Sequence, residues 1–135
     1  MKHILTIAIM LLFSTACNKP DDIPESQQSY LVKHSWKFWK VSVNGSEENL
    51  SPCFVDDIWA FSPSGAMNIN YGSLPCSSTQ QGSVSGSYQF PGNNTLLITH
   101  SGSTYTYSIN AIDEYYLDIT ANEFGDSVRY VLNAR

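Results

Sequence analysis

Apolar and polar side chains alternate at every second position through most of the chain after residue 35. In residues 104–109, for example, tyrosine and isoleucine alternate with threonine and serine. Successive side chains of a β-strand point to opposite faces, whereas a helix needs apolar residues three or four positions apart. The pattern therefore predicts strands with one buried face and one solvent-exposed face.

The alternation recurs in runs that are separated by turn-forming glycine, proline, asparagine and serine. The eight predicted strands are 36–44, 58–61, 67–71, 87–90, 96–98, 104–109, 117–120 and 128–133. Short connections favour an antiparallel meander, and closure removes both exposed edges. We predict an all-β fold, an eight-stranded antiparallel up-and-down barrel, with a short N-terminal helix at Glu25–Lys33 and a long loop at 72–86.

Strand periodicity also assigns side chains to the two faces of the barrel wall, because a one-residue slip would exchange the faces. The predicted buried set is Trp59, Phe61, Met67, Ile69, Tyr71, Tyr88, Phe90, Tyr105, Tyr107, Ile109, Leu117, Ile119, Val128, Tyr130 and Leu132. The predicted solvent-facing set is Asn68, Asn70, Gln89, Thr104, Thr106, Asp118 and Arg129.

The N-terminal residues have the pattern of an export signal. A positive segment, 1–3, precedes a ten-residue apolar segment, 4–13, and small residues lead up to Cys17. Ten residues span only about 15 Å as a helix, half of the bilayer core, so a membrane span is not predicted. The ending resembles a bacterial lipobox, which predicts a lipoprotein signal peptide at 1–16 and lipidation of Cys17. The alternative is an ordinary secretory signal followed by a chance cysteine.

Residues 17–29 are rich in acids and proline and nearly free of apolar side chains, which predicts a flexible acidic tether. The barrel domain is expected at 30–135. A lipid anchor at Cys17 would make the membrane a partner and place the protein in the bacterial cell envelope, as an outer-membrane lipoprotein. A lysine and paired acids after Cys17 resemble a surface-export signal, so the periplasmic face and the cell surface both remain open.

Cys53 and Cys76 remain once Cys17 carries lipid, and two cysteines in an exported protein predict one disulfide. A closely spaced metal-ligand motif does not accompany them, so neither a metal nor another cofactor is predicted.

The register of the hairpin that contains the cysteines is set by Phe61 facing Met67. In that register Cys53 and Cys76 are one residue out of step. A β-bulge near Gly72 or Pro75 would bring their sulfur atoms opposite each other.

A wider set of residues occurs in a recognisable order: Leu31, Trp36, Asn44, Gly45, Cys53, Asp56, Asp57, Phe61, Gly65, Cys76, Gly86, Tyr88, 96–98 and 130–132. With the lipobox, this order resembles the lipocalin-like domain family of bacterial lipoproteins over nearly all of residues 30–135. The resemblance implies an eight-stranded barrel and a small-molecule cavity, without specifying a ligand.

Catalytic chemistry is not apparent in the sequence. A net charge of −5 argues against nucleic acid as a partner. Neither a nucleophile elbow nor a phosphate-binding glycine loop is present, so an enzyme is not predicted. Asp56 and Asp57 are adjacent and would point to opposite faces of a strand, which suits hydrogen bonds to loop amides or Ca²⁺ ligation better than acid-base catalysis. His100 is expected at the barrel mouth.

The candidate ligand-lining residues are aromatic: Trp36, Trp59, Tyr71, Tyr88, Tyr105, Tyr107 and Tyr130. A membrane-tethered lipoprotein that binds a small, mostly apolar molecule in its barrel is the first hypothesis. The alternative is an interaction or structural surface lipoprotein whose barrel is filled by these side chains and whose protein partner is unknown. Ser127, between Asp126 and Val128, resembles a bacterial O-glycosylation site.

Overall fold

A computed structural model describes residues 25–80 and 82–135. The predicted signal peptide, Cys17 and the first part of the predicted tether lie outside the described residues. Within the described part of the chain, no helix is long and apolar enough to cross a membrane.

The described residues form two short helices and nine strands. In chain order these are α1 Glu25–Lys33, β1 Ser35–Val43, β2 Ser46–Glu48, α2 Pro52–Val55, β3 Ile58–Phe61, β4 Ala66–Asn70, β5 Ser83–Gly92, β6 Thr95–His100, β7 Ser103–Ile112, β8 Tyr116–Glu123 and β9 Asp126–Ala134. The predicted helix is confirmed at Glu25–Lys33, and its first residues fall within the segment 17–29 that was assigned to the tether.

The eight strands β1 and β3 to β9 close into an antiparallel barrel, because β9 pairs back onto β1. The predicted eight-stranded barrel is thus confirmed. The short β2 is an addition that was not predicted, since its Ser-Glu-Glu sequence has no apolar alternation. It pairs with the end of β1 across a turn at Asn44 and Gly45, which both adopt positive φ as a two-residue type I′ hairpin requires.

Helix α1 covers one end of the barrel, which we call the closed end. Leu31 of α1 is fully buried, and its carbonyl oxygen accepts a hydrogen bond of 3.0 Å from the Trp36 indole nitrogen. The Gln27 side chain donates to Asn94 Oδ1 at 3.0 Å, in the turn between β5 and β6. These contacts hold α1 over the closed end. The interior of the barrel is therefore accessible from the opposite end, which we call the open end.

The predicted division between inside and outside is correct for most residues and wrong for two. Tyr105 is 42% exposed although it was predicted to be buried, because it lies at the open end, where β7 is not paired with β8. Asp118 is only 5% exposed although it was predicted to face solvent. The side chain of Arg129, which lies diagonally across from Asp118 on β9, covers it.

Asp118 is held in a polar cluster on the outer wall. Arg129 donates to both carboxylate oxygens, at 2.9 and 2.5 Å, and the Asn110 side chain donates at 2.9 Å. Burial disfavours ionisation of Asp118, but these hydrogen bonds outweigh it and hold the pKa of the carboxyl below its ordinary value.

The predicted pairing of Phe61 with Met67 is confirmed, and the β3–β4 ladder runs as far as Ile58 and Asn70. The predicted bulge near Gly72 or Pro75 is wrong. Cys53 lies in the helical turn α2 rather than on a strand, so strand parity does not apply to it.

The long loop after β4 is also shorter than predicted. Strand β5 begins at Ser83, where it pairs with Asn70, and Gly86 belongs to the strand and not to the loop. The serine- and glycine-rich start of β5 has too few apolar residues to reveal this strand by periodicity.

Candidate functional site at the open end of the barrel

The open end of the barrel contains a cavity of about 430 Å³, which we call the cup. Aromatic side chains form most of its lining, and one amide and one carboxylate complete it. The lining residues are Phe38, Phe54, Trp59, Tyr105, Tyr107, Asn122, Glu123, Phe124 and Tyr130.

The rings of the cup pack against one another mainly edge to face. Phe38 lies at the centre of this packing, with ring centroids 5.2 Å from Trp59, 5.6 Å from Tyr130 and 6.0 Å from Phe54. Trp59 also contacts Tyr107 at 5.9 Å. Such pairs are favourable beyond the area that they bury, so the lining is held in a defined arrangement.

The wall of the cup is open on one side. The β7–β8 ladder stops at Ser108 and Thr120, although β7 begins at Ser103 and β8 continues to Glu123. A second cavity, of about 520 Å³, lies between residues 104–108 of β7 and 120–123 of β8. The cup can therefore be reached both through the barrel mouth and through this side opening.

The main acidic group of the cup is Glu123. Its Oε1 atom accepts a hydrogen bond of 2.9 Å from the Tyr130 hydroxyl. Burial and the nearby Glu123 carboxylate raise the pKa of both the Tyr107 and Tyr130 phenols. Both tyrosines are consequently neutral hydrogen-bonding groups near pH 7.

A second carboxylate, Asp57, lies beside the cup. It is not one of the lining residues, but its backbone amide donates a hydrogen bond of 3.3 Å to the carbonyl oxygen of Phe54, which is one of them. Asp57 is only 4% exposed, and its Oδ1 atom has no hydrogen-bond partner in the described structure. Burial and the neighbouring Asp56 charge raise the pKa of Asp57 to about 6.

Replacing Asp57 with asparagine should stabilise the protein at pH 8. An unfolded aspartate ionises near pH 3.8 and the folded one near pH 6. As the pH falls, the folded state therefore binds this proton before the unfolded state does. The free energy of unfolding correspondingly decreases as the pH rises through this window. Solvent screening reduces the full effect of this pKa shift, so we expect Asp57→Asn to gain about 1 kcal/mol at pH 8, a few degrees in Tm, and to lose this advantage below pH 4.

The matched control for this substitution is Asp56→Asn, because hydrogen bonds, first from the Ser73 backbone, lower the pKa of Asp56. That variant should be less stable than the wild type at pH 8. Thermal unfolding followed by circular dichroism measures both. If the Tm of Asp57→Asn at pH 8 is equal to or below that of the wild type, Asp57 is not a buried, unpaired carboxylate.

Asp56 organises the loop beside the cup. Its Oδ2 atom accepts hydrogen bonds from the backbone amides of Ser73 at 2.6 Å and Leu74 at 3.1 Å, and from the Ser73 hydroxyl at 3.1 Å. Of the two roles considered from the sequence, the structure shows the one with loop amides. Gly72 has a φ of +63°, and a Cβ there would lie 2.3 Å from the Asp56 carboxylate, so this position requires glycine.

The predicted disulfide between Cys53 and Cys76 is confirmed, with the two Cα atoms 5.0 Å apart. It ties α2, which carries Phe54 into the cup, to the loop that Asp56 organises. Among residues 25–80 and 82–135, no three His, Cys, Asp or Glu side chains are grouped so that they could hold a metal ion.

The predicted ligand-lining residues separate into three groups. Four line the cup: Trp59, Tyr105, Tyr107 and Tyr130. Tyr71 does not line the cup; it is half-buried and close enough to Asp57 for the carboxylate to raise the pKa of its phenol, after the larger effect of burial. Trp36 and Tyr88 instead belong to the closed end, where Trp36 binds the Leu31 carbonyl and the Tyr88 hydroxyl donates to Ser62 O at 2.7 Å.

Sequence reasoning missed five lining residues: Phe38, Phe54, Asn122, Glu123 and Phe124. Phe38 could have been found, because it is two positions after Trp36 and in phase with it. The other four lie in a helical turn or near the β8–β9 turn. Strand periodicity does not predict there whether a side chain points into the barrel.

His100 and Ser127 also lie at the open end. The His100 ring stacks on Tyr105 at 4.9 Å, and burial lowers the pKa of the imidazole. Ser127 is exposed beside the side opening, and its backbone amide donates to Asn44 Oδ1 at 3.0 Å. Glycosylation of Ser127 stays a prediction.

Comparison with known proteins adds a family and a fold. A model of the lipocalin-like domain matches residues 32–126. A crystal structure of a lipocalin-like protein from Bacteroides uniformis aligns with 74% of this chain and 94% of its own length, at 10% sequence identity and a TM-score of 0.53. At this identity the likeness shows the fold alone. A search of curated proteins finds no significant match.

Proposed function

The chain belongs to the lipocalin-like domain family, and from this we propose that its cup binds a small, mostly apolar molecule rather than catalysing a reaction. The observation that carries the proposal is the cavity of about 430 Å³ lined by packed aromatic rings. Ligand sites typically have this size and combine apolar walls with a few polar groups that orient the ligand.

The cup is continuous with the apolar core of the barrel. Phe38, Trp59 and Tyr107 line the cup and belong to the same buried cluster as five fully buried aliphatic side chains. These are Leu96, Ile98, Leu117, Ile119 and Leu132. The aromatic walls of the cup therefore contribute to the stability of the barrel as well as to a binding surface.

Ligand binding is tested with the neutral aromatic probe 1-N-phenylnaphthylamine, whose fluorescence increases in apolar surroundings. We expect the probe to bind the wild type, and Tyr107→Ala to weaken binding about tenfold, because the substitution removes one wall of the cup. Tyr115→Ala is the matched control, since Tyr115 is exposed on the connection between β7 and β8 at the closed end. Equal binding by both variants would contradict the proposal.

A second candidate is an interaction or structural role in which a protein partner covers the rim. Exposed apolar side chains on this side of the barrel favour it, since Phe124 is fully exposed and Leu74 and Val55 are 54% and 42% exposed. Under this alternative, Phe124→Ser would abolish co-purification of an envelope protein, while Tyr107→Ala would leave probe binding unchanged.

We also propose that lipid on Cys17 tethers the barrel to the bacterial outer membrane, at the periplasmic face or the cell surface. The charged, apolar and small-residue segments that end at Cys17 support this proposal. Helix α1 begins at Glu25 and lies on the closed end. An anchor preceding it would therefore be attached at the closed end of the barrel, opposite the cup.

Replacing Cys17 with serine should release the protein from membranes, because no acyl chain can then attach. Fractionation of cells that express the variant should move it from the membrane pellet to the soluble fraction and abolish labelling by a radioactive fatty acid. The double variant Cys53→Ser, Cys76→Ser is the control and should stay in the membrane fraction. Membrane retention of Cys17→Ser would contradict the anchor.

A further inference from the structure

We propose that the ligand of the cup is an organic cation, an ammonium group joined to an apolar body. This inference rests on the proposed function and names the ligand class for the same cup. Three observations carry it: the sign of the charges that face the cup, the unpaired state of one buried carboxylate, and the aromatic composition of the wall.

The charged groups of the cup and its rim are acidic. Glu123 lines the cavity, and Asp57 lies next to it, with its backbone amide bonded to the carbonyl oxygen of the lining residue Phe54. Among the residues that the structure describes, no lysine or arginine contributes to the lining. The cup therefore has a negative potential, which attracts a cation and repels an anion.

Three of the five basic side chains that the structure describes pair with acidic groups away from the cup. Lys33 lies 3.2 Å from Glu114 near the closed end. Lys40 and Arg129 pair with Glu47 and Asp118 on the outer wall. None of these pairs includes Glu123 or Asp57, so the carboxylates of the cup are available to a charged ligand.

Asp57 is the second observation, because it is a buried carboxylate with an oxygen atom that lacks a partner. An unsatisfied buried polar group costs free energy, and an unpaired charge costs more. A bound ammonium group near the rim would supply the missing opposite charge. An anionic ligand would instead add a like charge and increase the cost.

The aromatic wall is the third observation. The faces of indole, phenol and phenyl rings carry partial negative charge and attract a cation within about 6 Å of the ring centroid. Trp59, Tyr107 and Tyr130 all line the cup together with Glu123. This combination of rings and carboxylate recognises ammonium groups, while the same rings contact the apolar part of the ligand.

The test compares three probes that share an eight-carbon chain: octyltrimethylammonium, 1-octanol and octyl sulfate. The two ionic probes are used below their micelle concentrations and 1-octanol is used below its solubility limit. Isothermal titration calorimetry on the intact domain should show octyltrimethylammonium binding about tenfold more tightly than 1-octanol, and octyl sulfate binding most weakly. Glu123→Gln should remove most of the preference for the ammonium probe and leave 1-octanol unchanged. The glutamine oxygen can still accept the hydrogen bond from Tyr130, so the variant should keep its fold.

Glu114→Gln is the matched control, because Glu114 is exposed near the closed end and pairs with Lys33. It should leave all three affinities unchanged. The charge inference is overturned if octyltrimethylammonium and 1-octanol bind equally, or if the preference persists in the double variant Asp57→Asn, Glu123→Gln. If either of these results is found but 1-octanol still binds, the proposed function stands. If none of the three probes binds, both the charge inference and the proposed function are overturned.

Discussion

Replacing Trp36 with alanine should lower the free energy of unfolding by about 3–5 kcal/mol, as for other large buried aromatic residues. Trp36 has no exposed surface and packs between the barrel wall and α1. Its indole nitrogen also donates to Leu31 O, so the substitution leaves that carbonyl without its partner as well as creating a cavity.

Trp39→Ala is the matched control in the same strand. Trp39 lies where the β1–β9 register shifts, between Phe38 and Lys40, and is 55% exposed on the outer wall. Trp39→Ala should lower the free energy of unfolding by less than about 1 kcal/mol, mainly because the contact with the Lys40 ammonium group is lost. Urea unfolding followed by circular dichroism measures both variants. Similar losses for the two would contradict the assignment of the barrel interior.

Removing the disulfide should have the second large effect. The double variant Cys53→Ser, Cys76→Ser should lose about 2–5 kcal/mol, and the chain-entropy model gives about 3.4 kcal/mol for a loop of this size. The bond also holds α2, whose Phe54 ring lies 6.0 Å from Phe38. We therefore expect weaker probe binding in the cup as well as lower stability.

The control for the disulfide is chemical. Wild-type protein with the bond reduced should match the double variant in both stability and probe binding. Identical unfolding curves for oxidised and reduced wild type would show that the bond does not contribute to the fold.

The barrel could be predicted from the sequence because strand alternation is a repeated, local signal. Leu117 and Ile119 illustrate this, since both are in phase and both are fully buried. The Phe61–Met67 pairing followed from the same rule and is confirmed. Helix α1 was predictable because a short segment without strand alternation precedes β1.

Periodicity fails where the backbone leaves the strand geometry. Cys53 and Phe54 lie in the helical turn α2, so their directions do not follow from their distance to Phe61. Tyr105 is in phase with Tyr107 and yet exposed. An inward-facing side chain at the open end of the barrel points into a mouth that solvent can enter. Asp118 is buried on the outer wall because the long side chain of Arg129 covers it.

The candidate site was predicted in part for the same reasons. Trp59, Tyr107 and Tyr130 follow from strand phase and do line the cup. The depth of a residue along the barrel axis does not follow from phase, so Trp36 and Tyr88 were grouped with them although both lie near the closed end. The contribution of Glu123 depends on where the β7–β8 ladder ends, a tertiary property that alternation does not encode.

The cup as a binding site is tested most directly by nuclear magnetic resonance of the ¹⁵N-labelled domain titrated with the neutral probe 1-octanol. The backbone amide shifts should change together and saturably at the open end, in residues 54–59, 105–107, 122–124 and 130. The amides of α1 and of the outer wall around Trp39 should stay unchanged. Shifts confined to the outer wall or the closed end, or no saturable shift at all, would contradict a ligand site in the cup.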